Sequence, residues 1–118
     1  MTDTTPQGSW FPTQAEFDTF AALSGDANPI HTDPGFAARS RFGRTVSHGM
    51  LIYAHLSALL TRLAPGRRQR LASLLFPNPA YVAEYLQFFA KQTAPCQWSL
   101  TARRADGTPV AEAQVTVE

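Results

Sequence analysis

Phe17, Phe20, Ala21 and then Leu23 or Ser24 recur at three- to four-residue spacing, the period of one apolar helix face. Thr13-x-x-Glu16 forms a capping box at its start with Pro12 just ahead, and Gly25 is placed to end the helix in a left-handed conformation. A second helix is expected from His48 to about Leu63. Ser47 is its candidate cap and Pro65-Gly66 its stop. Met50, Leu51, Ile52, Tyr53, Ala54, Leu56, Ala58, Leu59 and Leu60 make this helix apolar on nearly every side, so other parts of the protein must surround it. Between the two, Asp33-Pro34 predicts a short helix through about Arg39, and Phe42-Gly43 a turn.

Past residue 70 the period changes from helix to strand. Residues 71–76, 81–92, 97–105 and 109–117 read as strands, with Pro77 and Pro79 at a corner and Asp106-Gly107 as a hairpin turn. The last strand alternates, with Ala111, Ala113, Val115 and Val117 on the face expected to pack. Helices first and antiparallel strands after define an α+β class, in which a sheet needing a filler wraps around a long central helix needing cover. Residues 1–9 are polar, carry Pro6 and Gly8, and read as a flexible terminus before one domain over 10–118.

Composition narrows the function classes. The 118 residues suit a single core. Only 16% are charged against 44% hydrophobic, which suggests that a second copy covers part of the surface. The net charge of +1 and the absence of a basic run argue against nucleic acid as a partner. The longest apolar run, Met50 to Leu60, is broken by His55 and Ser57 and falls short of a membrane span. A lone cysteine, Cys96, and the lack of a basic-then-apolar leader point to the cytoplasm; Cys96 itself is expected to be a small buried or edge residue.

The stretch SGDANPIH, Ser24 to His31, places a carboxylate and an imidazole five residues apart in a bend bounded by Gly25 and Pro29. Asp26 alone suits a turn, as does Asn28, but a turn needs one such residue and this bend holds Asp, Asn and His together. Gly49 adds a backbone N–H at the start of the central helix, suited to developing negative charge; glycine there also permits close approach of another chain segment. His48 and His55 lie seven apart on the central helix, but no Cys or Glu joins them at ligand spacing and no metal is expected. Arg67, Arg68 and Arg70 read either as a solvated face or as partners for phosphate.

FAALSGDANPIHTDPGFA followed by FGRTVSHGML resembles the hydratase signature of the MaoC-like (R)-specific enoyl-CoA hydratases, and FPNPAYVAE is similar to their later strand corner. The resemblance implies a single hot-dog domain, at least homodimeric, that hydrates trans-2-enoyl-CoA to (R)-3-hydroxyacyl-CoA or runs the reverse dehydration. It implies a coenzyme A thioester as substrate and no cofactor. Asp26 and His31 correspond to the catalytic pair, Asn28 to the brace of the bend, and the Gly49 N–H to the donor for the thioester oxygen. Ser57 and Leu60 match acyl-pocket positions, and Ser47, His48 and Tyr53 join them as candidate substrate-binding residues, with Phe76 a further candidate for shaping the pocket. Alternatives are dehydration of 3-hydroxyacyl chains on acyl carrier protein, or a catalytically silent acyl-CoA-binding subunit of a heteromer. Two departures stand out: the strand before the first helix looks short, and Ala83 replaces a glycine common before the acidic residue of the corner.

Overall fold

The computed structural model describes residues 5–118. Strand β1 (Gly8–Trp10) leads into helix α1 (Gln14–Ser24), the short helices α2 (Pro29–Thr32) and α3 (Pro34–Ala38), and the long helix α4 (Gly49–Leu63). Strands β2 (Gln69–Leu75), β3 (Leu86–Ala94), β4 (Gln97–Arg104) and β5 (Pro109–Val117) follow. All five strands form one antiparallel sheet in the order β1-β3-β4-β5-β2, and α4 lies across β3, β4 and β5.

Ile52, Leu56, Leu59 and Leu60 of α4 are buried against the sheet, where Ala102, Ala111 and Ala113 are fully covered. These small side chains leave room for the large ones of the helix, which is how a close-packed interior is filled. Ala111, Ala113, Val115 and Val117 face inward as the alternation predicts, and Val110 is buried as well. The other side of α4 stays open: Met50 is 52% exposed and Leu63 38%. Within one chain the sheet therefore covers the helix on one side and does not encircle it.

The capping box of α1 is present, with Glu16 N–H donating to Thr13 Oγ1 and Thr13 N–H to Glu16 Oε1, and Gly25 ends the helix at φ 81°. Several boundaries differ from the sequence reading. Gly8 and Ser9, expected in a flexible terminus, pair with Phe88 and Gln87, and Gln7 reinforces the edge by accepting from Ala90 N–H; residues 1–4 lie outside the described ones. Residues this polar carry no alternation, so only the neighbouring strand reveals β1. The strand expected from Tyr81 starts at Leu86, because backbone groups of residues 80–83 bond instead to Ser47, Thr45 and Pro12. Strand β2 begins at Gln69, two residues early, where Gln69 and Arg70 pair with Val117 and Thr116. His48, not Ser47, occupies the N-cap position of α4, where its side chain makes no capping bond, and the Ser47 hydroxyl donates to the His48 carbonyl. Cys96 is exposed in the β3–β4 turn.

Candidate active site

The bend builds itself from short-range bonds. Asp26 Oδ1 accepts from Asn28 N–H at 3.3 Å, and Asn28 Oδ1 accepts from Ile30 N–H at 3.0 Å, so Asn28 caps α2 with Pro29 as its first residue. One helical turn then presents His31 back toward Asp26. His31 Nδ1 lies 2.8 Å from the Val46 carbonyl. A carbonyl only accepts, so Nδ1 carries a proton, and in the neutral ring Nε2 is the nitrogen with the lone pair. That nitrogen faces Asp26 Oδ2 at 3.7 Å, too long for a direct hydrogen bond and close enough for one water, lying to the side of the line joining them, to bond both. The His31 side chain is 14% exposed and that of Asp26 56%, so the pair meets solvent from the Asp26 side.

His48 underlies both. Its Nε2 is 2.9 Å from the Asp26 carbonyl and must donate to it, while its ring stacks on His31 at 3.9 Å and meets Phe20 edge-on at 4.9 Å. At 3% exposure His48 offers almost no surface to a substrate, so its observed work is to hold the Asp26 backbone and support the His31 ring. Its Nδ1 is buried without a hydrogen-bond partner among the described residues. Donor atoms of Asp26, His31 and His48 lie within 4.8 Å of one another. The two rings are nearly parallel, at 23°, so one cation could not lie in the plane of both, as imidazole ligation requires.

Gly49 opens α4, and no side chain caps the helix start. Its first N–H groups have no i−4 carbonyl inside the helix, which leaves donors and the positive end of the helix dipole directed outward. Val46, Ser47 and Gly49 line a cavity of about 300 Å³ shared with Ile52, Phe76 and Val110. The segment therefore has two functions: the Val46 carbonyl fixes the His31 tautomer, and the residues around it form the wall of the cavity. Two braces lie beyond any sequence signal. Gln14 Nε2 donates to the His31 carbonyl at 2.8 Å, and the Thr45 hydroxyl, almost fully buried, donates to Gln14 Oε1 at 2.7 Å.

Other candidates lie elsewhere. Leu60 is fully buried in the core. Ser57 donates to Gln69 Oε1 at 2.8 Å and ties α4 to β2. Tyr53 packs half-buried on the core, where desolvation pushes its phenol above the usual range. His55 stacks on Trp10 at 4.2 Å, whereas His48 meets Phe20, His31 and the Asp26 carbonyl. Arg68 and Arg70 pair with Glu118 and Arg67 with the Val117 carbonyl, past the end of α4 opposite Gly49. A solvated face accounts for all three, ion-paired at Arg68 and Arg70 and bonded to backbone at Arg67.

An antiparallel sheet laid along one long central helix is the hot-dog class of fold, and here a bent Asp/His segment lies over the helix start. The chain belongs to the MaoC like domain family, whose model matches residues 3–113. It is 42% identical over 82 residues to an (R)-specific enoyl-CoA hydratase of Aeromonas caviae, covering 68% of this chain and 61% of that protein. It is 37% identical over 71 residues to a 3-hydroxybutyryl-CoA dehydratase of Methylorubrum extorquens, covering 60% and 39%. The aligned parts are thus less than two thirds of these relatives' lengths. Among solved structures, the A. caviae (R)-hydratase involved in PHA biosynthesis superposes with a TM-score of 0.85 at 29% identity, over 100% of this chain and 98% of that one.

Proposed function

We propose that the protein adds water to trans-2-enoyl-CoA to form (R)-3-hydroxyacyl-CoA, and runs the reverse dehydration. The observation that carries this is the 3.7 Å spacing of His31 Nε2 and Asp26 Oδ2, beside a helix start at Gly49 that no side chain caps. The water oxygen bonds to C3 and the C2–C3 π pair moves toward the thioester oxygen. The pair takes a proton from the water and passes one on to C2, so that both groups end in the state in which they began. Gly49 N–H stabilises the enolate-like oxygen, a donor worth about 3 to 4 kcal/mol in comparable sites. Electrons are conserved throughout, so the reaction calls for no redox cofactor. Asn28 keeps its role as brace, Ser47 lies at the cavity wall, and His48 is a positioning residue.

The test is loss of the conjugated enoyl thioester absorbance, with stereochemical analysis of the product. Asp26→Asn and His31→Ala are each expected to lower turnover by at least about 100-fold with an unchanged circular dichroism spectrum. Variants that stay folded and keep near wild-type hydration would refute the assignment. Rates on CoA against acyl-carrier-protein substrates separate the carrier-protein alternative, and activity of the purified chain alone excludes a silent subunit. We further propose a cytoplasmic homodimer. No helix among the described residues is long and apolar enough to cross a membrane.

A further inference from the structure

Phe76 follows the last residue of β2, and its ring lies against the start of α4. A Cβ built on Gly49 would sit 2.6, 2.7 and 2.8 Å from Phe76 Cε2, Cζ and Cδ2. Real Cβ atoms essentially never approach so closely, so glycine at 49 is what lets the ring rest on the backbone whose N–H begins the helix. The ring is not part of the core cluster; it is 42% exposed at a cavity it shares with Ile52 and Val110. An apolar ring left partly wet beside outward N–H donors gains stability when a hydrocarbon chain covers it, at roughly 25 cal/mol per Å² removed from water. A cavity of about 300 Å³ is at the small end of ligand pockets.

We propose that Phe76 determines the length of acyl chain the protein accepts: seated on Gly49, its ring is the wall against which the enoyl chain packs and which restricts the space for longer chains. This rests on the hydratase reading above. It also separates two roles of Gly49, because an alanine there keeps the N–H donor but displaces the ring. The glycine requirement is then steric and belongs to Phe76, whereas the donor belongs to the backbone of any residue at 49.

The experiment compares kcat/KM on trans-2-butenoyl-CoA and trans-2-dodecenoyl-CoA for the wild type, Phe76→Ala, Phe76→Leu, Gly49→Ala and the Gly49→Ala/Phe76→Ala double variant, with thermal melts and sedimentation on each. Phe76→Ala is expected to raise the dodecenoyl-to-butenoyl ratio by at least about tenfold, and Phe76→Leu to move it less in the same direction. Gly49→Ala is expected to lose activity on both substrates, and removal of the ring in that background to recover at least about tenfold of the loss. A ratio unchanged within about twofold in folded, active Phe76 variants overturns the proposal and leaves the hydratase reading standing. So does a change of oligomeric state with no change of ratio. A wild type that turns over neither substrate overturns both.

Discussion

Ala83 holds φ at 60°, the left-handed region where a Cβ crowds the following carbonyl oxygen, and it is the one non-glycine residue there among those described. Its N–H donates to the Pro12 carbonyl at 2.8 Å, and Glu84 beside it pairs with Arg44 at 3.0 Å and Arg104 at 3.2 Å. The corner is thus held in place against the strain. Ala83→Gly is expected to stabilise the protein by about 1 kcal/mol, and Ala83→Val to destabilise it, read as opposite shifts of the urea midpoint. Residues of this kind also show how much of the site is legible in sequence. Asp26 and Asn28 bond residues two positions away and Pro29 restricts itself and its predecessor, so near neighbours in the chain announce the bend. Gln14 and Thr45 meet across 31 positions, and no local pattern encodes such a bond.

Helix α4 connects both ends of its chemistry to the rest of the fold. Its uncapped start faces the candidate site, and His55 in its middle stacks on Trp10 of β1, whose indole N–H donates to Glu16 of α1 at 3.0 Å. Burial pushes the His55 imidazole below its ordinary 6.5, and the Glu16 charge pulls it partly back. The folded state therefore binds this proton less readily than the unfolded chain. The stability involved is complete above about pH 6.5 and declines as the pH falls below that value toward the folded one. His55→Phe keeps a ring on Trp10 without a titrating group. Between about pH 7.5 and pH 5 the wild type is expected to lose more of its urea midpoint than this variant does; equal losses would remove His55 as the cause.

At the scale of the molecule, one chain leaves the outer side of α4 and the free edge of β2 uncovered: Met50, Leu71 and Leu75 are 52%, 39% and 62% exposed. Strand β2 pairs with β5 on one side only, and an apolar edge of unpaired backbone groups is a template for another strand. The proposed homodimer covers it with a second copy. Light scattering is expected to give twice the chain mass, and Leu75→Lys to shift the protein toward monomer; a wild-type monomer at micromolar concentration would sink the dimer.

The sequence by itself determined the α+β order, the capped start and glycine stop of α1, the apolar central helix and the Asp26–His31 bend, since all of these rest on spacing and on bonds between near neighbours. Only the tertiary structure decided which histidine donates to which carbonyl, which donors the start of α4 leaves free, that Phe76 rests on Gly49, and that β1 exists at all. Each of these depends on a partner remote in the chain, where distance and burial, and not residue type, choose the contact.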